Sequence, residues 1–496
     1  MSRQYLTTAI DYANAAPHMG HVMEKVLADV CARWMRLRGD EVLFQIGMDE
    51  HGVKVQRTAA EQSLAPRALV DRMAPLYRDL FARLHVSHDR FIRTSDRAAH
   101  WPTVAALWGK LADAGMLEKR SYRGLYCSGC EQFLTARDLE DGMCPHHQRA
   151  PEEVTEENWF FLLSKKQGAL RKLLAAKKGG YRIIPASRAR ETLALLDEGL
   201  TDVSFSRPVS SLSWGVPVPG DTGQTMYVWC DALTNYLSGL GFFTDREERA
   251  FWDDAEVTHV IGKDITRFHA LIWPAMLSAA GVRAPDRLLV HGFLTCDGRK
   301  MSKTIGNVVV PGEVLDRFGG DPDPLRLYLS GIPVGSDGDF SWERIGDLYD
   351  GVLRNKIGNL LNRVLAMLAK EGGVIVPLAG KGDVPWEDYR KAMDAFEYSE
   401  ALKIAVAFAD AANTSIDRTK PWALPTGEKR RELAVLAEHV RHLSLMLLPF
   451  IPGTAGRMLA QLGLGVPGVL PGETAWGAKT AWKAAGAPEI LFRPLE

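Results

Sequence analysis

The rhythm of apolar and polar positions changes three times along this chain. Residues 3–10 close on Leu6-Thr7-Thr8-Ala9-Ile10, a short apolar run that predicts a buried strand. A loop through Pro17 follows. Over 19–38 the residues Val22, Val26, Leu27, Val30 and Trp34 fall on one helical stripe, and Gly39 stands where a C-terminal cap belongs. Residues 41–47 read as the next strand, and strand, helix, strand predicts a βαβ unit on a parallel sheet. Over 116–224 the pattern becomes irregular and cysteine-bearing, with a Pro/Gly-rich stretch at 214–220, so this segment reads as an insertion. Strand-like runs resume at 225–229, 258–262 and 287–294. Beyond about 350 the pattern is helical, as at 352–370 and 428–448. The expected divisions are 1–115 and 225–310 for two halves of one sheet domain, 116–224 for the insertion, 311–350 for a linker and 351–496 for a helical domain.

With 496 residues the chain needs more than one core, and 46% hydrophobic and 24% charged residues suit an ordinary globular protein. No run of eighteen apolar residues and no apolar signal core are present, which leaves a cytoplasmic location as the expectation. The net charge of −1 gives no sign of a polyanion partner. Residues 351–496 carry 18 Lys+Arg against 15 Asp+Glu, a surplus of three, which by itself argues nothing about nucleic acid. Of the six cysteines, Cys127, Cys130 and Cys144 cluster, while Cys31, Cys230 and Cys296 stand alone in apolar surroundings, a usage that suits a reducing compartment.

Two polar motifs change this picture. His18-Met19-Gly20-His21 opens the first helix, where unpaired N–H groups and the helix dipole favour an anion. Its two imidazoles share a face, and Gly20 leaves room for a flat ring. Lys300-Met301-Ser302-Lys303-Thr304 lies after the strand at 287–294, in a polar loop that Gly298 and Gly306 should keep mobile, and its lysines can bracket a pyrophosphate. Residues 22–299 separate the two, 278 positions in all. The pair resembles the His-Ile-Gly-His and Lys-Met-Ser-Lys-Ser signatures of the class I aminoacyl-tRNA synthetases. That resemblance implies a Rossmann-type α/β fold, ATP with Mg²⁺ as a substrate complex, and catalytic charge stabilisation by His18, His21, Lys300 and Lys303. Gly20, Ser302 and Thr304 join them as ATP-binding positions.

Residues 8–14, 47–52, 227–233, 259–264, 268–269, 273–276 and 298–307 are similar to the methionyl branch of that family, in its single zinc-knuckle form. The likeness runs from about residue 3 to about 450. It implies that Asp49, just past a strand end, holds the α-ammonium of methionine. Tyr12, Trp229 and Tyr236 would offer ring surface to the thioether. Ala9, Ile10, Ala232, Leu233, Ile265 and His269 would complete the wall. Asp11 departs from the family, which usually has proline or an aromatic residue there.

Cys127-x2-Cys130 and Cys144-x2-His147, 13 residues apart, have the spacing of a closed tetrahedral structural zinc site, with His146 a lesser candidate for the fourth ligand. On a wheel for 352–368, Ile357, Leu360, Leu361, Val364 and Leu368 share one face, and Asn355, Asn359 and Arg363 form a row nearly opposite. Such a row can read splayed bases of an RNA loop. The resemblance implies that it binds the anticodon, with Trp422 stacking on a base. The expected activity is methionine–tRNA ligation, with L-methionine and the initiator and elongator methionine tRNAs as partners and the chain a monomer. A small-molecule nucleotidyltransferase and a non-catalytic RNA-binding derivative are the alternatives. The zinc spacing and helical region disfavour the first, the intact motifs the second.

Overall fold

The computed structural model describes the chain except residues 1, 128–131, 135–137, 146–147, 177–178, 246–247, 302–306, 379–381, 485, 487 and 496, and gives only the backbone of Gln132, Phe133 and Lys300. Its centre is a seven-stranded parallel sheet. The strands are β1 (Arg3–Thr8), β2 (Asp11–Tyr12), β3 (Glu41–Asp49), β4 (Arg90–Arg93), β5 (Arg182–Ile184), β6 (Glu256–Gly262) and β7 (Arg287–His291). Their order is β2-β3-β1-β6-β7-β5, with β4 also beside β3. β1 and β3 are buried almost throughout, as strands covered on both faces must be. The two halves of the sheet join where β1 runs parallel to β6, from Gln4 opposite Glu256 to Thr8 opposite Val260. Strand order reverses there, and the carboxyl ends of β1, β3 and β6 open a crevice of the kind in which α/β sheets bind ligands.

Helix α1 (Met19–Arg38) follows the expected bounds and ends on Gly39, whose φ of +97° gives the left-handed cap. Two segments depart from the sequence reading. Residues 225–229 are not a strand of the central sheet: Asp221–Met226 belongs to a small antiparallel sheet, and Val228–Leu233 is helix α2. A short apolar run carries too little period to separate strand from helix. In addition, β5 lies within 116–224 and pairs in parallel with β7, so the chain returns to the central sheet in the middle of that segment. The rest of the segment is built on a long antiparallel pair, Leu117–Cys127 with Glu152–Phe161.

After β7 the chain forms a hairpin, β8 (Leu294–Cys296) and β9 (Arg299–Lys300), with β10 (Gly338–Phe340) parallel to β8. Asp297 and Gly298 have φ of +51° and +72°, the left-handed pair that a two-residue hairpin turn requires. The start of the second motif therefore lies in a hairpin strand, while residues 302–306 of the expected loop lie outside the described residues. Asp339 Oδ1 accepts from Gly298 N and Thr295 Oγ1, each at 2.7 Å.

The C-terminal part is helical: α3 (Asn359–Lys370), α4 (Tyr398–Thr419) and α5 (Thr426–Leu447). Tyr349–Gly358, ahead of α3, is wound with i→i+5 hydrogen bonds. One apolar core runs without a break from α1 into this bundle. At the junction Arg326 is fully buried and donates to Phe450 O, Leu84 O and Pro449 O at 2.8, 3.0 and 3.2 Å. It also meets Asp29 Oδ2 at 2.7 Å. Burial alone would raise the Asp29 carboxyl, yet the guanidiniums of Arg326 and Arg33 hold it below the usual range. Trp34 Nε1 donates to Asp394 Oδ1 at 2.8 Å across the same junction. Among the described residues no helix is long and apolar enough to cross a membrane.

Candidate functional site

His18 is the N-cap of α1, with extended backbone, and its Nδ1 accepts from Gly20 N at 3.1 Å. His21 Nδ1 accepts in turn from His18 N at 3.2 Å, so the two side chains form a capping box made of imidazoles. The rings stack with centroids 3.7 Å apart and planes 16° from parallel. This fixes the tautomers: with both Nδ1 atoms accepting, a neutral ring carries its proton on Nε2. Burial holds His21 well below the ordinary histidine pKa, with the neighbouring His18 and Lys25 adding to the effect. The helix start thus presents two neutral N–H donors. A Cβ on Gly20 would meet the His18 ring at 3.0 Å, so only glycine leaves the ring in place.

Behind the imidazoles Lys25 is completely buried. Its Nζ donates to Ala9 O at 3.0 Å, Asp11 Oδ1 at 2.6 Å and Glu24 Oε1 at 2.8 Å. Glu24 Oε2 lies 3.2 Å from His291 Nε2, and His21 Nε2 lies 4.0 Å from Asp11 Oδ1. Burial would deprotonate Lys25, but the two carboxylates raise its pKa above the ordinary value.

The residues expected to hold methionine converge at the strand ends. Asp49 closes β3, opposite Tyr12 of β2, and its carbonyl accepts from Ala13 N at 2.9 Å. Ile10 fits beside it because Gly47 has no side chain: a Cβ there would come within 2.9 Å of Ile10 and 2.3 Å of Ile92. Helix α2 supplies Trp229, Ala232 and Leu233. Trp229 stacks on Phe268 with centroids 3.7 Å apart and meets the edge of His269 at 6.4 Å. His269 sits in an i→i+5 turn, Phe268–Ile272. Its Nδ1 lies 3.0 Å from Ile265 O and its Nε2 2.7 Å from Tyr236 OH. A carbonyl can only accept, so Nδ1 holds the proton and the Tyr236 hydroxyl donates to Nε2. Burial brings the His269 pKa down to about 4. His259 lies beneath, its ring 4.1 Å from that of Tyr236, with Trp273 Nε1 donating to its Nε2 at 3.2 Å and Thr7 Oγ1 2.6 Å from its Nδ1.

Several site residues had no sequence signal of their own. Asp231 is buried between two imidazoles, His51 Nδ1 at 2.5 Å and His100 Nε2 at 2.6 Å, and so ties α2 to the loop after β3. Burial would raise its carboxyl, but the two histidines bring it to about 2. A lone acid inside the apolar run 228–233 was the available hint. Lys25 and Glu24 carried none, because a polar residue on an amphipathic helix is ordinarily solvated, and His291 at the end of β7 carried none either.

Of the second motif, Lys300 is placed in β9, while Ser302, Lys303 and Thr304 lie outside the described residues. Cys127, at a strand end, and Cys144 are buried in one small cluster with Leu134. Cys130, His146 and His147 lie outside the described residues, and among those described no group of three metal-binding side chains assembles. In the bundle Ile357, Leu360, Leu361, Val364 and Leu368 are buried as expected, and Asn355 and Asn359 are exposed. Arg363 is half-buried and pairs with Asp417 at 2.5 Å, near the end of α4. Trp422 follows that end and is 57% exposed.

The chain matches the family model for tRNA synthetases class I (M) over residues 4–153 and 147–365. It is 39% identical over 479 residues to a methionine–tRNA ligase of Caldanaerobacter subterraneus subsp. tengcongensis, covering 93% of this chain and 74% of that protein. It is 38% identical over 481 residues to the methionine–tRNA ligase of Rickettsia conorii, covering 93% and 92%. The fold superposes on Mycobacterium tuberculosis methionyl-tRNA synthetase in complex with methionyl-adenylate with a TM-score of 0.91, at 35% identity and over the full length of both chains. On the apo form of the same enzyme the TM-score is 0.84, at 32% identity.

Proposed function

The chain belongs to the class I tRNA synthetases, in their methionine branch, and from that membership we propose how its residues divide the reaction. The enzyme activates L-methionine with ATP·Mg²⁺ and charges methionine tRNA. A carboxylate oxygen of methionine attacks the α-phosphorus, the bond to the β-phosphate oxygen breaks, and pyrophosphate leaves. The 3′-terminal ribose hydroxyl of the tRNA then attacks the acyl carbon and AMP departs. No side chain need act as a nucleophile, so catalysis rests on positioning and charge stabilisation.

The stacked, neutral imidazoles carry this reading. The capping bonds occupy Nδ1 of His18 and His21 and leave the Nε2–H of each to meet the charge that grows on the phosphates in the transition state. Lys300 and Lys303, with Gly20, Ser302 and Thr304, complete the phosphate cradle. Asp49 receives the α-ammonium at the end of β3. Tyr12, Trp229, Tyr236 and His269, with Ala9, Ile10, Ala232, Leu233 and Ile265, enclose the thioether. Asn355, Asn359, Arg363 and Trp422 read the anticodon of initiator and elongator tRNAs. Cys127, Cys130, Cys144 and His147 hold a structural zinc, a donor set that fits the metal and leaves no position open for catalysis. Divisions at 116, 225, 311 and 351 mark sheet halves, insertion, linker and bundle, with β5 of the 116–224 segment counted with the central sheet. The enzyme acts as a cytoplasmic monomer.

ATP–pyrophosphate exchange run with each of the twenty amino acids tests the assignment, with methionine alone expected to support it. Lys303→Ala should lower that exchange by about 100-fold or more while methionine affinity changes little. Unchanged exchange in the variant would remove Lys303 from the phosphate cradle.

A further inference from the structure

We infer that Lys25 is a positioning residue whose buried ammonium locks the two halves of the split ATP site to the methionine site. The inference rests on the reaction assigned above. Nζ has three N–H bonds and meets three acceptors: Ala9 O in the β1–β2 connection, Asp11 Oδ1 in β2 and Glu24 Oε1 in α1. Glu24 extends the chain of contacts to His291 at the end of β7, whose Nδ1 lies 2.8 Å from Gly292 O. β8 begins three residues later and leads through the hairpin turn to Lys300, the start of the second motif. Asp11 closes the other side, 4.0 Å from His21 Nε2. The contacts therefore join the wall of the amino-acid pocket, the helix carrying the first motif and the strand leading to the second. Lys25 is the counter-charge that lets the Asp11 carboxylate occupy a buried place beside the pocket wall.

Stability alone gives no reason for this arrangement. Replacing a buried ion pair by well-packed apolar groups is often neutral or stabilising. Val22 and Val26, on the same helix, are packed in just that way. What an apolar core cannot do is fix three separate backbone segments through directional bonds. The charged and titratable groups around Lys25 include Asp11, Glu24, His18, His21 and His291, and Tyr77 packs against His21.

The test compares Lys25→Met with the charge-compensated Asp11→Asn/Lys25→Met, by thermal unfolding and methionine-dependent ATP–pyrophosphate exchange. Lys25→Met should lose both stability and turnover, since Asp11 is left buried without its counter-charge. The compensated variant should recover its Tm yet keep a kcat depressed by about 100-fold, with KM for methionine within about three-fold of wild type. A kcat that returns together with Tm would show that Lys25 merely neutralises buried acids, and would overturn the inference. Should the double variant fail to fold, His291→Gln decides by the same criterion: kcat down about ten-fold at unchanged KM for methionine supports the inference, and unchanged kcat rejects it. Absence of methionine-dependent exchange in the wild type would instead remove the reaction assignment itself.

Discussion

Tyr236 and His269 show how much a single hydrogen bond specifies in the pocket proposed for methionine. Because Nδ1 of His269 is committed to Ile265 O, its Nε2 must accept, and the Tyr236 hydroxyl is the donor that meets it. Tyr236→Phe would leave a buried ring nitrogen without its partner, a cost of about 1–3 kcal/mol. Methionine KM in the exchange assay should therefore rise by about ten-fold or more, and no change would exclude the bond from substrate recognition. The same burial carries a pH dependence. The folded-state pKa of His269 lies near 4, below the free imidazole value, so the unfolded chain binds the proton more tightly. The stability this residue contributes is complete above about pH 6.5 and is lost as pH falls toward 4, about 3 kcal/mol in all. Tm measured over that interval should fall on acidification, and His269→Gln should flatten the slope. A slope unchanged in that variant would place the titration elsewhere, at His259 or His21, both also lowered by burial.

At the scale of elements, sequence and structure agree where periodicity is long and separate where it is short. Helix α1 spans twenty residues, carries its stripe through five turns and ends on a left-handed glycine, so its bounds were readable. The six residues of α2 hold one apolar run interrupted by Asp231, and nothing local separates that from a strand. β5 is three residues long and belongs to the central sheet only through its pairing with β7, where Arg287 lies opposite Arg182, 105 positions earlier. Among candidate site residues, the two motifs stood out because phosphate chemistry asks for fixed residue types at fixed spacing. Lys25, His291 and Asp231 were not, because their roles exist only once distant segments meet. The insertion offers a test at this scale. Cys127 and Cys144 are buried together although one ends the strand Leu117–Cys127 and the other lies in an isolated bridge with Arg149, which suits a site closed by metal. Metal analysis should find about one zinc per chain, and Cys144→Ser should abolish it and expose the 117–161 arm to protease. A metal-free wild-type protein, folded and protease-resistant, would count against zinc.

For the whole molecule the question is how the anticodon reading proposed for the bundle would be tested apart from the chemistry in the crevice. Arg363 is drawn toward the end of α4 by Asp417, and exposed Trp422 follows. Trp422→Ala should weaken tRNA by about 1–3 kcal/mol of lost stacking, raising its KM in charging, while exchange without tRNA stays at the wild-type level. Loss of exchange in that variant would mean that Trp422 serves the fold and not the RNA.

The uninterrupted core beneath α1 has a separate outcome for how sequence changes would register in a cell. Trp34, Asp29 and Arg326 belong equally to the crevice side and the bundle side, so neither side has a complete interior without the other. A substitution deep in the bundle, far from any nucleotide or RNA, would first lower the amount of folded enzyme and only then its fidelity or speed. Among variants of this chain, poor growth should accordingly track protein abundance more often than altered decoding, and supplying more of the variant should restore it.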